Sequence, residues 1–397
     1  LENLGQGTDG DKRYFVTVAD ERTILHFGSS YGGNALLGKI ADLFRDYLDD
    51  TQPADQKPAA PAPAPAPAGG GMFGSPEQQA KQADLEKNTP KLKVTEEVLR
   101  LSIPNQTIGE AVGVAKNSKG HLFVFSRTGK TATVKGSAAS MLFEFDPTLK
   151  YVKEWGPNNY AAGFAHTVRV DKEDNVWAVD EGANMVVKYR PDGSVALTLG
   201  RKEEPLDWLE KFVEEGDHRE KTPPARPWVF NRPTDVTWDN DGNIYVSDGY
   251  NNSRLAKFDK NGNWVGAIGE RGNAPDQFNT PHGITSDAKN NIYVADRGNR
   301  RVQVYGPDLK RTKIIEGMGA PWSVCVSPGP TQYLFSGDGN GKIYKFDLDG
   351  KLVGWAETSK NHGQNGCLVH ELHCESDTVL YKGDCSTWQV EKLTISQ

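Results

Sequence analysis

Three of the eight histidines in this chain, His166, His282 and His370, stand where a repeat would bring them together. Each lies two residues into a short apolar stretch, and in three similar stretches the same position is held by Val112, Thr234 and Trp322. Moving 14 residues on in each copy gives Ser126, Asp180, Asp248, Asp296, Ser336 and Asp384, so six copies share one register without a gap. Histidine takes the first position in the second, fourth and sixth copies. Alternate members of a six-fold ring are about 120° apart, so three such side chains converge on its axis. Three neutral imidazoles with an open fourth position are the donor set of a catalytic zinc or a similar divalent ion. Arg127 and Arg297 stand one residue beyond the second register position, and Tyr250 one further on in the third copy. An Arg holds a carboxylate by paired hydrogen bonds, and a Tyr beside cations can act as a base. Outside a shared site, each of these would be a salt bridge or a turn contact. His26, His121, His218, His362 and His373 show no such register; strand alternation turns His373 away from the face of His370.

The elements that must position these residues repeat with them. Four copies are plain: FAHTVRVDKEDNVWAVDEGANMVVKY, FNRPTDVTWDNDGNIYVSDGYNNSRLAKF, FNTPHGITSDAKNNIYVADRGNRRVQVY and GAPWSVCVSPGPTQYLFSGDGNGKIYKF. Each reads strand, turn, strand, turn, strand, with Asp-Asn, Asp-Gly-Asn or Asn-Asn turns that tolerate positive φ. A fourth strand follows, as in GSVALTLG, NWVGAIG and KLVGWAE. Weaker copies flank them, IGEAVGVAKNSKGHLFVFSRTG before and CLVHELHCESDTVLYKGDCSTWQVEKL after. Six four-stranded units make an all-β, six-bladed β-propeller over residues 95–397. The last copy lacks a clear fourth strand, which residues 95–103 would supply to close the ring.

Residues 51–94 read as a linker. Alternating Pro and Ala extend as polyproline II, and Gly69, Gly70 and Gly71 add a flexible joint. The polar stretch SPEQQAKQADLEKN after them suits a short helix or disorder. Residues 1–50 form a small α+β module, a strand pair followed by the amphipathic stretch ALLGKIADLFRDYL, whose apolar face suits a protein partner.

A net charge of −7 argues against nucleic acid or an anionic membrane as the main partner, and no apolar run is long enough to span a bilayer. Cys325, Cys367, Cys374 and Cys385 lack metal-site spacing. An even, clustered set suits one or two disulfides and an oxidising compartment, so a periplasmic or secreted protein whose leader has been removed is expected. Cys325 and Cys374 stand three and four residues past the axial position of neighbouring copies, which favours that pair.

The segments FAHTVRVD, RPTDVTWD, YVSDGYNNSR, QFNTPHGI, YVADRGNRRVQVY and LVHEL resemble the NHL-type six-bladed propellers, and among them the peptidyl-α-hydroxyglycine α-amidating lyases, over residues 95–397. The resemblance implies that His166, His282 and His370 hold zinc or another divalent transition metal, that Tyr250 is catalytic, and that Arg127 and Arg297 serve the active site. It implies a peptide or small carbinolamide substrate, cleaved at its C–N bond to peptide amide and glyoxylate. It also implies a structural calcium on Glu371 and the carbonyls of Val114 and Val168. Animal members carry Asp where this chain has Glu371, and a cysteine where it has Asn251. No copper monooxygenase domain is visible, so the hydroxyglycine peptide would come from another protein. A second reading stays open, a non-catalytic propeller that binds a protein or peptide and keeps its axial metal as a pin.

The YGGNALLGK run at residues 31–39 is similar to a segment of the GTP-dependent phosphoenolpyruvate carboxykinases. Its spacing also fits a phosphate loop, but Ile40 stands where Ser or Thr should hold magnesium. The kinase's nucleotide and metal motifs are absent, so no activity is implied. On a long Pro-Ala tether, the module serves to bring a partner close.

Overall fold

The turns repeat as clearly as the strands. In three successive units an Asp closes the first hairpin. The carboxylates of Asp171, Asp239 and Asp287 accept the backbone N–H of Asn175, Asn243 and Asn291. The same three carboxylates accept Trp177 Nε1–H, Tyr245 O–H and Tyr293 O–H at 2.9, 2.9 and 3.0 Å. One acidic side chain thus sets the turn and satisfies the polar end of a buried aromatic, which would otherwise be costly to bury.

A computed structural model of the chain describes residues 74–127, 140–201, 226–358 and 367–396, together with the backbone of three strands within residues 2–26. Six four-stranded antiparallel sheets make six blades. Blade 1 comprises Glu110–Lys116, Leu122–Arg127, Ser140–Phe145 and Tyr151–Trp155. Blades 2 to 5 follow over residues 165–200, 235–268, 281–316 and 321–357. Blade 6 takes three strands from residues 371–396 and its outermost from Lys93–Val98. Val98 faces Glu391 and Lys93 faces Ser396 across that seam, so the expected closing strand is present.

Aromatic contacts join the blades. Trp155 of blade 1 meets Tyr189 of blade 2 edge-on at 5.9 Å, and Trp177 of blade 2 stacks on Trp238 of blade 3 at 5.6 Å. Such pairs add to the area they bury.

Within the stretch read as a linker, Pro76–Lys87 is a helix, started by a capping box between Ser75 and Gln78. It is anchored to the two outer strands of blade 5 by polar contacts. The Glu86 carboxylate accepts Lys342 Nζ–H at 2.7 Å and Tyr344 O–H at 2.8 Å, and the Glu86 carbonyl accepts Trp355 Nε1–H at 2.9 Å. The strands Glu2–Asp9, Lys12–Ala19 and Arg22–His26 form a separate antiparallel sheet. The amphipathic stretch at 35–48, the run at 31–39 and the Pro/Ala tract lie outside the described residues.

All four cysteines are paired. Cys325–Cys374 ties the inner strands of blades 5 and 6, and Cys367–Cys385 lies within the last repeat. The first closes a span of 49 residues. Replacing both Cys325 and Cys374 by Ser is expected to cost about 4 kcal/mol through the freer unfolded chain. Urea unfolding at equal m-value should show it as a lower midpoint.

Candidate metal centre and active site

The inner strands reach the axis through β-bulges. Asp180 pairs with Ala165 and Val179 with Thr167, which leaves His166 as the extra residue. The same irregularity brackets Val112 in blade 1, His282 with Gly283 in blade 4, and Trp322 in blade 5. A bulge bends the strand and re-aims one side chain. Here it turns the axial residue of each of these blades toward its neighbours. The buried aspartates 14 residues on hold the approach loops: Asp180 accepts backbone N–H from Gly163, Phe164 and Ala183, and Asp296 accepts that of Asn279.

His166, His282 and His370 converge. Their ligand atoms lie within 4.8 Å of one another, and none is more than 2% exposed. His282 Nδ1–H donates to the Trp322 carbonyl at 2.6 Å, and His370 Nδ1–H to the Val112 carbonyl at 2.7 Å. In both cases the acceptor is the axial residue of the next blade. These bonds fix the tautomer and leave Nε2 as the free lone pair, as in metal-bound histidines. His166 is buried with neither ring nitrogen hydrogen-bonded, a costly state unless something binds there. Burial, then the neighbouring histidines and Arg127, hold the His166 imidazole well below its ordinary pKa. Burial, then Arg127, takes His370 down to about 3. The rings are therefore neutral at neutral pH, the form that binds metal. The triad can hold a divalent ion.

Tyr250 follows Gly249, where a Cβ would come within 2.0 Å of the Pro281 carbonyl. Only glycine allows this loop to pack so closely. The Tyr250 hydroxyl lies 3.4 Å from His282 Nε2, and Arg297 Nη1–H points to it at 3.4 Å. The guanidinium of Arg232 covers the Tyr250 ring at 4.1 Å. Arg127 donates from Nε to the Ala165 carbonyl at 2.8 Å, pairs with Glu110 at 3.2 Å and stacks on Phe164 at 3.8 Å. The structure thus groups Tyr250 and Arg297 against the triad, and sets Arg127 on the strand end that carries His166.

Two residues of this site are absent from the reading of the sequence. Glu181 is 1% exposed, with one oxygen paired to Arg232 at 2.7 Å and the other 3.7 Å from His166 Nε2. It occupies in the second copy the register position that Arg127 and Arg297 hold in theirs, so the signal was present. Arg232 lies in a loop before the third inner strand, outside the register, and carries no such signal.

Glu371, Val114 and Val168, the residues expected for a calcium ion, are buried beside the axis. Arg169 is there already. Its guanidinium pairs with Glu371 at 2.8 Å and Asp235 at 2.9 Å. It also donates to the carbonyls of Leu372, Ile284 and Val324 at 3.1, 3.5 and 3.4 Å. The other oxygen of Glu371 accepts the Thr167 hydroxyl. Calcium needs six to eight oxygens and free carboxylate charge. Here the single positive charge of Arg169 offsets only part of the acidic charge, and burial pushes the Glu371 carboxyl up to about 8.

Six such blades around a converging axial site make this chain a six-bladed β-propeller. Residues 229–353 match the family model described as a 6-bladed beta-propeller, and residues 5–45 match that of the phosphoenolpyruvate carboxykinase N-terminal domain. Its relatives include proteins named for peptide amidation. A Caenorhabditis elegans protein, a probable peptidyl-alpha-hydroxyglycine alpha-amidating lyase, is 26% identical over 78% of this chain and 89% of its own length. The Xenopus laevis peptidyl-glycine alpha-amidating monooxygenase B is 27% identical over 74% of this chain, which spans only 35% of that protein. A solved gluconolactonase from Xanthomonas campestris, 15% identical, superposes with a TM-score of 0.51 over 86% of this chain and 99% of its own. That likeness shows the fold alone.

Proposed function

We propose that this chain is a metal-dependent lyase that cleaves the C–N bond of a peptidyl α-hydroxyglycine, releasing a peptide amide and glyoxylate. The observation that carries this is the Tyr250 hydroxyl, 3.4 Å from both His282 Nε2 and Arg297 Nη1. That position beside the three-histidine centre supports a proton-accepting role for Tyr250. A divalent ion on His166, His282 and His370 supplies Lewis acidity that makes a substrate hydroxyl easier to deprotonate. Tyr250, entering as the phenolate beside the Arg297 cation, takes that proton and becomes the neutral phenol. The carbinol carbon becomes the aldehyde of glyoxylate as its C–N bond breaks, and the departing amide nitrogen takes a proton back, so no water is consumed. Arg297 holds the Tyr250 oxygen in place, and Arg127 meets the substrate carboxylate. The two disulfides suit an oxidising compartment, and we place the protein in the periplasm or outside the cell. No helix among the described residues is long and apolar enough to cross a membrane.

The test combines metal content with turnover. Protein purified without added metal should carry about one zinc-class ion per chain and release glyoxylate from an α-hydroxyglycine peptide. His370→Ala should lose both. A full complement of metal without glyoxylate would sink the substrate assignment and favour the binding propeller.

A further inference from the structure

We propose that Glu181 is the fourth protein ligand of the axial metal, making the centre a three-histidine, one-carboxylate site. The inference rests on the metal reading above and not on its substrate.

Glu181 follows Asp180 at the end of the second strand of blade 2. Its side chain is 1% exposed, and its Oε2 has no hydrogen-bond partner. A buried carboxylate oxygen without a partner is rare, because desolvating it costs several kcal/mol unless a cation or donor meets it. His166 Nε2, itself without a hydrogen-bond partner, lies 3.7 Å from Glu181 Oε2. A nitrogen and an oxygen each about 2.1 Å from one tetrahedral ion lie about 3.4 Å apart. The pair is therefore spaced as two ligands of one ion, with a shift of a few tenths of an ångström.

The rest of the side chain is held for that role. Oε1 accepts from Arg232 at 2.7 Å, which turns Oε2 inward. Arg232 itself adopts φ 62°, a left-handed conformation that a side chain enters only at a cost, and its N–H is fixed by Asn184 Oδ1 at 2.8 Å. The guanidinium that orients Glu181 also covers the Tyr250 ring at 4.1 Å. A carboxylate lowers the net charge of the centre and adds a hard oxygen donor, which suits zinc, iron or manganese over copper(I). A five-coordinate ion would still leave a position free for substrate on the Tyr250 side.

Cobalt(II) is the probe, because its visible absorption reports ligand number. Wild type, Glu181→Gln, Glu181→Asp and Arg232→Met would be stripped of metal, checked for unchanged thermal unfolding and titrated with cobalt. Glu181→Gln and Glu181→Asp should bind at least about tenfold more weakly, with a changed absorption band. Arg232→Met, which keeps the carboxylate but releases its hold, should weaken cobalt binding less than either Glu181 variant. Bands and affinities in both Glu181 variants equal to wild type would overturn the assignment. A wild type that binds no cobalt would overturn the metal centre itself, and this ligand with it. A zinc-loaded crystal of the wild-type protein decides the matter without any variant. A Glu181 oxygen within about 2.2 Å of zinc supports the proposal, and one held off by a water refutes it.

Discussion

Tyr250→Phe is expected to lower glyoxylate release by about a hundredfold to ten-thousandfold, the range that one positioned proton acceptor supplies. Metal content and thermal unfolding should stay as in the wild type. Phenylalanine preserves the ring between Arg232 and Arg297, at 4.1 and 5.2 Å, and removes only the oxygen that meets His282 and Arg297. The loss should fall on kcat more than on KM, because the oxygen acts on a proton that moves only in the transition state. A variant that turns over at the wild-type rate would remove Tyr250 from the chemistry. A variant that loses its metal would make the residue part of the scaffold.

The second large effect is expected on stability. Arg169→Met leaves the Glu371 and Asp235 carboxylates, 2% and 1% exposed, without their shared cation. Removing one partner of a buried ionic group costs about 3–5 kcal/mol, because the remaining charge stays desolvated. Urea unfolding should show that loss. Millimolar calcium should leave the wild-type midpoint unmoved, and EDTA should not reproduce the effect of the variant on protein already freed of its axial metal. If calcium stabilises the wild type, the guanidinium has not taken that place. Adding Glu371→Gln to Arg169→Met should change little further at neutral pH, since burial already pushes Glu371 up to about 8 and leaves Asp235 as the stranded charge.

The histidine triad was legible because its residues recur at one point of a repeat that holds register over six copies. Arg127 and Arg297 stood out by sharing one register position, while Tyr250, in a single copy, was singled out by its closeness to that position and by the family resemblance. The closing strand followed from counting, since a propeller tolerates no unpaired edge. The bulges that aim His166 and His282 inward were not legible, because a bulge is a property of two strands and leaves no mark in either alone. Arg169 was hidden for a related reason. It sits three residues after His166 in sequence, yet its partners Asp235, Ile284, Val324 and Leu372 come from four other blades. The helix Pro76–Lys87 has no apolar face to announce it. Its docking, through Leu85 packed on the core and through Gln78, Lys81, Gln82 and Glu86, depends on long-range geometry.

The seam in blade 6 also sets a timetable. Ribosomes deliver chains from the N-terminus onward, and Lys93–Val98 is made before any of the blades, whereas its partner Gln389–Ser396 comes after all of them. Throughout synthesis of five blades the early strand has bare backbone edges and nothing to pair with. The ring therefore closes only after residue 396 has been made, and until then that edge stays open to pairing with other strands.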